Sequence, residues 1–590
     1  MGLTKPTETV ISTPSDKTHV PRRLVILLAV AAVGLGAVHA WTVRHTMNPD
    51  GVSYLDMGDA YLRGDWGVAV NAYWSPLYAW LLGLALLALK PSPYWEFAVV
   101  HFVNFAIYLC AMAAFHFLLR ELIRHHRTRT AELGPDRRAT LPDWAWWAFG
   151  YGLFVWSSLH LIGMKRVNPD LCAAVFLYLA AGLLLRIGRT SGSWGMFVLL
   201  GLVLGFGYLT KAAMFPLAFV FLALTYVVAA DIRTAAPRLL VALTSFLIVA
   251  SPFIITLSRA KGRLTFGDSA TLNYAWHIDG VKRYVHWQGE HLRGGVPRHP
   301  TRKILEQPAI YEFSSPIGGT YPPWYDASYW YEGVTPFLNP AYLARAFVLN
   351  AGHCAFKAFV GLTQFGLIAG LLMTWLAGDR RWSCLGFDKV AHASLLIPAL
   401  AALGMFCLVH VDARYIAAFI VLLWLGMFSG VRVPDSTEAQ KVVCCGALAM
   451  VVLVWFGTVA ETVRMGYGPG GPTSWRDASD HPHWQVADGL ARMGIRPGDK
   501  VACIGSGFEA SYWARLARVN IVAELPPPHP AEFRPAYWSV DYFADPRILA
   551  AFSRTDAKAI VAEDVPASLA RTGWRRIGRT HHYAYCPAGH

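Results

Sequence analysis

Charged side chains are scarce in this sequence. Asp, Glu, Lys and Arg make up 15% of the 590 residues, whereas hydrophobic residues make up 55% and the net charge is +14. An ordinary soluble domain has roughly 25% charged residues, so a chain this apolar is predicted to lie largely in a lipid bilayer. In membrane proteins an excess of Lys and Arg reflects basic loops beside anionic lipid, and we therefore expect no nucleic-acid partner.

Cysteine pairs with the spacing of a metal or redox site are also lacking. The nine cysteines are scattered without a C-x-x-C pair, which argues against a zinc site or a redox motif. Most of them lie in or beside apolar runs and are expected to behave as small hydrophobic residues. Cys503 and Cys586 fall in a soluble C-terminal region, and the sequence leaves open whether they form a disulfide.

Long apolar runs dominate what is present. Eleven runs are predicted to cross the bilayer: Leu24–Val43, Phe97–Leu119, Trp144–Gly163, Leu171–Ile187, Trp194–Leu209, Met214–Ala230, Leu239–Leu257, Phe359–Leu376, Val390–Val409, Ile416–Gly430 and Val442–Ala460. The tail 1–23 ends in two arginines, which predicts a cytoplasmic N-terminus. The six-arginine loop 120–138 then falls inside, as the positive-inside rule requires. Pro76–Leu89 is short for a span and is predicted to dip into the outer leaflet.

The loops and the C-terminal region complete a predicted domain plan. A membrane domain over 24–461 carries two large outer loops, 44–96 and 258–345, and loops of this length are typically functional. The histidines of the second loop lack metal-ligand spacing and are expected to be solvated or hydrogen-bonded: His277, His286, His291 and His299. Alternating strands and helices over 474–590 predict a small soluble α/β domain on the non-cytoplasmic side. The fold class is thus a polytopic α-helical membrane protein with a C-terminal α/β domain.

Asp50 is the first candidate for chemistry. It follows Asn48-Pro49, a helix-start signal, and Tyr54, Met57, Tyr61 and Leu62 recur after it at helical spacing. The pattern predicts an amphipathic helix lying flat at the outer membrane surface. An acidic residue at a helix N-terminus is stabilised by the helix dipole, so the spacing alone is compatible with a capping role for Asp50.

A second Asn-Pro-Asp tripeptide places Asp170 at an outer membrane boundary. Charges so close to lipid are costly, and two such tripeptides indicate more than solvation, although a pair of helix caps stays open. The same face carries the cations Lys165, Arg166, Lys211 and Arg414. Several cations at one membrane face suit a phosphate or diphosphate, and anchoring at the lipid surface is the alternative for each of them singly.

These residues resemble a known family. Asp50 to Trp66, followed by Ser75-Pro76-Leu77-Tyr78, resembles the first outer loop of GT-C glycosyltransferases, in the branch of bacterial aminoarabinose transferases and protein mannosyltransferases. Ser75 stands where that pattern has a proline. Asn168-Pro169-Asp170, Leu209-Thr210-Lys211 and Arg414-Tyr415 follow in the order the family shows, over roughly the first 460 residues.

The resemblance implies an inverting transferase that moves a sugar from a polyprenyl-phosphate donor to a lipid, glycan or protein acceptor on the non-cytoplasmic face. It implies that Asp50 is the base, that Asp170 orients a substrate or binds a metal, and that Lys211 and Arg414 stabilise the departing phosphate. Lys165, Arg166, Tyr54 and Tyr415 are further expected substrate-binding residues. Some relatives use a divalent cation and others do not, and the residues here do not decide between them.

Two other function classes stay open at this stage. A lipid or sugar transporter would have ionisable groups deep in its bundle, whereas the charges here gather at one boundary. A noncatalytic scaffold of the same fold would tolerate the loss of Asp50. The preference for Arg over Lys suggests a bacterium, and hence the cytoplasmic membrane as the location. The sugar, the acceptor and the oligomeric state are not indicated by the sequence.

Overall fold

The protein is a bundle of apolar helices covered at one end by a cap of loops, short helices and a mixed sheet. This computed structural model describes residues 22–133, 141–190, 192–229, 232–283, 286–289, 294–359, 388–430, 437–467, 481–527, 543–566, 568–569 and 573–587. The bundle helices are Arg22–Thr42, Glu96–Leu133, Asp143–Val155 with a π-helical continuation Trp156–Ile162, Asp170–Thr190, Trp194–Thr210, Met214–Val228, Ile232–Lys261, Lys389–Cys407, Ala413–Ser429 and Thr437–Tyr467.

Each bundle helix overlaps a predicted span. The eighth predicted span, Phe359–Leu376, lies outside the described residues beyond Phe359. By length and composition, six stretches of described helix can cross a membrane: Arg22–Thr42, Pro93–Arg129, Asp170–Thr190, Arg233–Lys261, Lys389–Cys407 and Cys444–Arg464. The polytopic helical membrane fold is therefore confirmed, while the number of eleven spans stays a prediction.

The helix that begins at Glu96 is longer than predicted. It continues through the expected loop to Leu133 because the first helix-breaking pair in this stretch is Gly134-Pro135. Its last turns approach other charged groups far from the cap: Arg189 lies 2.9 Å from Glu121, and Arg129 lies 3.1 Å from Asp388. Arginines of the predicted inner loops thus gather at the end of the bundle opposite the cap.

Two short helices lie beneath the cap. Pro49–Arg63, termed here the Asp50 helix, has Asn48 as its N-terminal cap and Gly64 as its C-terminal cap, where a φ of +72° favours glycine. Tyr54 and Met57 are buried on it as predicted, whereas Leu62 in its last turn is exposed. Its neighbour is Pro76–Leu89, which forms a helix of 14 residues, the length predicted for the dipping segment.

The Asp50 helix and its neighbour touch through glycine. A Cβ atom added at Gly58 would meet the carbonyl oxygen of Ala79 at 2.7 Å, and one at Gly83 would meet the backbone of Gly58 at 3.1 Å. Small residues allow two helix backbones to approach this closely. The position of the Asp50 helix therefore depends on Gly58 and Gly83.

The cap combines the second large loop with the C-terminal region. The mixed sheet has the order Arg302–Leu305, Ile310–Glu312, Asn520–Leu525, Lys500–Ile504, Ala559–Glu563, His582–Tyr585 and Trp574–Arg576. The other elements of the cap are Trp66–Ala69, Pro93–Trp95, Ser269–His277, Pro322–Tyr325, Ala327–Trp330, the strand pair Gly294–Gly295 and Val334–Thr335, and the helices Pro482–Arg492, Gly507–Ala517 and Pro546–Ser553. The helix Pro340–Phe359 packs against the bundle, where Asn350 donates to the carbonyl of Cys407 and Trp424 donates to that of Ala358.

The three central strands are parallel and connected by helices, as the alternation in the sequence predicted. Two strands of the sheet, however, come from the large loop. Ile310–Glu312 pairs antiparallel with Asn520–Leu525, which covers an edge strand that would otherwise expose unpaired backbone groups. The C-terminal region and the large loop are thus parts of one sheet. Cys503 and Cys586 are both free thiols in it.

Gly58→Ala is expected to destabilise the protein, because the new methyl group meets a backbone oxygen that cannot move alone. Overpacking of this kind costs about 1–3 kcal/mol, which should lower the thermal unfolding midpoint measured in detergent. Gly34→Ala is the matched control, since nothing lies within 4 Å of the added atom in the helix Arg22–Thr42. An unchanged midpoint for Gly58→Ala would show that the two helices separate without cost.

Candidate active site

A cavity of about 360 Å³ lies between the bundle and the cap. Its charged walls come from five places in the chain: the Asp50 helix, the start of the helix Asp170–Thr190, the turn after Trp194–Thr210, the large loop after Ser269–His277 and the start of the helix Ala413–Ser429. The ionisable side chains that line it are Asp50, Asp170, Lys211, Arg283, His410 and Arg414, with Tyr54, Tyr73 and Tyr415.

The two Asn-Pro-Asp tripeptides meet at this cavity. The side-chain oxygen of Asn48 accepts a hydrogen bond of 2.6 Å from the backbone N–H of Val167, next to the second tripeptide. Asn48 also stands at the start of the Asp50 helix, and its backbone is extended as a cap residue requires. Asn48 thus holds the cap position, and the carboxylate of Asp50 points to partners in the cavity.

Asp50 is held by two side chains from distant parts of the sequence. Its Oδ2 accepts hydrogen bonds of 3.2 Å from both terminal nitrogens of Arg414. Its Oδ1 accepts a bond of 3.2 Å from the indole Nε1 of Trp324. One carboxylate oxygen is therefore charge-paired, while the other is oriented by a neutral donor.

Asp170 forms the second charged pair of the cavity. Lys211 donates to its Oδ1 at 2.5 Å, and the Nε of Arg414 lies 3.8 Å from its Oδ2. Arg414 thereby bridges the two carboxylates. Lys211 is further placed by Tyr415, whose ring centre lies 3.7 Å from the ammonium nitrogen.

Burial changes the acid–base properties of this group. It lowers the pKa of the Lys211 amine, and Asp170 opposes that shift by stabilising the charged form. Burial alone would raise the pKa of Asp412, but Arg414 and Arg166 bring it below its usual value. The charges of the cavity therefore depend on one another.

The predicted site residues are not all brought together. Asp50, Asp170, Lys211 and Arg414 meet in the cavity, and Tyr54 and Tyr415 line it. Lys165 is exposed and is not among the lining residues. Arg166 is also exposed and contacts the group through Asp412 at 3.3 Å. Lys211 lines the cavity and Lys165 does not, although both lie between predicted spans. The position of a residue in a loop does not reveal whether its side chain extends into the cavity.

The cap supplies residues that sequence reasoning missed. Trp324 is 4% exposed and reaches Asp50, while the guanidinium of Arg283 lies 5.0 Å from the ring centre of Trp324 and 5.1 Å from that of Trp276. Trp324 falls in the aromatic run Tyr321–Tyr325 of the large outer loop 258–345. That signal identifies the segment but not the residue that touches Asp50.

The described residues show whether the cavity offers ligands for the divalent cation that some relatives use. Within the described ranges, no group of three or more His, Cys, Asp and Glu is placed to hold a metal ion. Both carboxylates of the cavity face cations instead. The arrangement combines two cations suited to an anionic group with two carboxylates able to accept a proton or a hydroxyl hydrogen bond.

Asp170→Asn is expected to lower the pKa of Lys211, because the charge that opposes the effect of burial is removed. A lower pKa leaves more unprotonated amine, so Lys211 should react with acetic anhydride at a lower pH than in the wild type. Mass spectrometry of the labelled peptides across a pH series measures this shift. Exposed Lys90 serves as the internal control, and coincident Lys211 curves in both proteins would contradict the expectation.

Comparison with known proteins concerns the whole chain. No family model and no curated protein matches it. The aminoarabinose transferase ArnT of Cupriavidus metallidurans, bound to undecaprenyl phosphate, matches 96% of this chain and 99% of its own, at 14% identity and a TM-score of 0.49. The oligosaccharyltransferase of Archaeoglobus fulgidus matches 92% of this chain and 69% of its own, at 16% identity and a TM-score of 0.45. Both of these proteins belong to the GT-C superfamily, the family that this sequence resembles.

Proposed function

We propose that this protein is an inverting glycosyltransferase. It takes a sugar from a polyprenyl-phosphate donor and delivers it to a lipid, glycan or protein acceptor on the non-cytoplasmic face of the cytoplasmic membrane. The observation that carries the proposal is the pairing of Asp50 and Asp170 with Lys211 and Arg414 in one cavity at the end of an apolar bundle. The sequence resemblance supplies the reaction class.

Lys211 and Arg414 are suited to the phosphate of the donor. Arg presents a planar fork to phosphate oxygens and Lys a point charge, and both are largely shielded from solvent here. As the bond between the sugar and the phosphate breaks, negative charge grows on the phosphate. Cations fixed beside it in a dry site stabilise that charge and lower the barrier.

The apolar part of the cavity wall suits the lipid of the donor. It is formed by side chains from two bundle helices, from the turns at their ends and from the loop after Ile232–Lys261: Ala212, Pro216, Phe266, Met405, Phe406 and Val409. The first isoprene units are joined directly to the phosphate. A phosphate held at Lys211 and Arg414 therefore brings apolar carbon to this wall.

Asp50 is the proposed base. The acceptor loses its proton to the Asp50 carboxylate as its oxygen or nitrogen bonds to the anomeric carbon, and the bond from that carbon to the phosphate oxygen breaks. The products are the glycosylated acceptor and polyprenyl phosphate. Because Trp324 donates to Oδ1, it fixes the carboxylate plane and positions the oxygen that takes the proton.

Asp50→Asn is expected to abolish sugar release from donors that the wild type turns over. The purified protein in detergent is given a panel of radiolabelled polyprenyl-phosphate sugars, and the loss should be roughly 10²–10⁴-fold with donor binding retained, since general-base catalysis contributes that much. Asp488→Asn is the matched control, because Asp488 pairs with Arg492 on an exposed helix face.

The other function classes give different results in the same experiment. Equal turnover by Asp50→Asn and the wild type would remove Asp50 from the mechanism. No turnover of any donor by the folded wild type would favour the scaffold or the transporter, and the proposal would be abandoned.

A further inference from the structure

A buried cluster of charges joins the C-terminal region to the Asp50 helix. Arg515 lies on the helix Gly507–Ala517 and its side chain is only 3% exposed. Its Nη1 lies 2.8 Å from Asp56 Oδ1 and 2.7 Å from Asp59 Oδ2, and its Nε lies 2.7 Å from Glu96 Oε1. A single guanidinium thus holds two carboxylates of the Asp50 helix and one at the start of the helix Glu96–Leu133.

The same cluster holds the aromatic segment of the cap. Asp56 accepts hydrogen bonds from the backbone N–H of Thr320 at 2.6 Å and from its hydroxyl at 2.9 Å. The C-terminal strand fixes the other side of this segment, since Asn520 donates to the carbonyl of Gly319 at 2.6 Å. Four residues after Thr320 stands Trp324, which donates to Asp50. Asp56 is therefore a junction of three parts of the chain.

A second contact runs through a buried acid of the C-terminal sheet. Glu524 accepts a hydrogen bond of 3.0 Å from the hydroxyl of Tyr321 and lies 2.6 Å from the ring nitrogen of His286. All three side chains are buried. The segment that carries Trp324 is consequently clamped between the Asp50 helix and the sheet.

We propose that Arg515 is a positioning residue for the reaction. It locks the Asp50 helix and the segment 319–325 in the register that points the Asp50 carboxylate and the Trp324 indole at each other. The C-terminal region then contributes to the geometry of the active site. This inference rests on the proposed function, because it assigns what Arg515 positions.

The contacts of the cluster lie on one side of the cavity. Asp50 and Trp324 belong to the elements that Arg515 holds, whereas Lys211 and Arg414 stand on bundle helices and their connecting turn. Loss of the Arg515 contacts should therefore disturb the base and leave phosphate binding in place. A merely structural role would instead lower the amount of folded protein without separating kcat from KM.

Arg515→Met and Arg515→Lys test the inference by two readouts. The rates are normalised to the amount of folded, monodisperse protein. In Arg515→Met, kcat for donor turnover should fall roughly 10–100-fold, because a small displacement of a base lowers the rate by that factor. The donor KM should stay within about threefold of the wild-type value. Arg515→Lys should recover part of the loss, since it keeps the charge but not the fork. Arg547→Gln is the matched control, as Arg547 lies on an exposed helix end of the same region.

Hydrogen–deuterium exchange gives the second readout, independent of turnover. In the Arg515 variants, peptides covering 49–63 and 319–325 should exchange about tenfold faster, whereas the strand Lys500–Ile504 keeps its protection. If Arg515→Met does not fold, Arg515→Lys and Thr320→Val, which removes one hydrogen bond to Asp56, decide the question. Unchanged exchange at 49–63 together with wild-type kcat overturns the positioning role. If the wild type turns over no donor, the proposed function fails, and unchanged exchange alone then overturns the role of Arg515.

Discussion

Charge pairing at a dry boundary is the constraint on which this structure depends. A carboxylate or a guanidinium removed from water is costly unless a partner of opposite charge lies beside it. Arg414 meets this requirement for Asp50 and Asp170, and Arg515 meets it for Asp56 and Glu96. Both clusters join elements that are far apart in the sequence, so the pairing of charges also fixes the tertiary arrangement of the cap end.

Both clusters include carboxylates of the Asp50 helix. Asp50 is at the first turn of the Asp50 helix and faces the cavity, whereas Asp56 and Asp59 are further along it and face the C-terminal region. The close glycine contact with Pro76–Leu89 restrains this helix from a third direction. A helix of only 15 residues is marginal by itself, so its rigidity comes from these neighbours.

Much of this arrangement could be predicted from the sequence. The bundle helices follow from runs of apolar residues, and alternation of spans brings Asp50, Asp170, Lys211 and Arg414 to one face. The helix from Glu96 runs to Leu133, beyond the predicted span, because charged residues end a hydrophobic run whereas nothing in 120–133 breaks a helix. Hydropathy predicts where a segment leaves the lipid, but the helix itself can continue beyond that point.

The contacts that set the geometry of the site could not be predicted. Trp324 meets Asp50 across 274 positions of the chain, and Arg515 meets Asp56 across 459. Neither residue stands in a periodic pattern, and each is one among many aromatic or basic side chains in its region. Pairing over such distances is set by how the large loop adds its strand to the C-terminal sheet, and a three-residue strand has too little pattern to be recognised.

The charge pairs of the cavity also bear on which carrier the proposed function would select. Arg414 is held by Asp50 and Asp170, and Lys211 by Asp170, so a ligand must weaken these pairs to occupy the cations. A neutral ligand would leave the cations and carboxylates less well compensated in a dry site, which costs free energy. Under the proposed function, the phosphate of the donor brings its own negative charge and replaces the carboxylates as the partner of the cations. The displaced carboxylates then need new partners, which the hydroxyl or amine hydrogens of an acceptor can supply. The cost of leaving buried charges unpaired would thus favour a charged donor over an uncharged lipid and couple acceptor binding to donor binding.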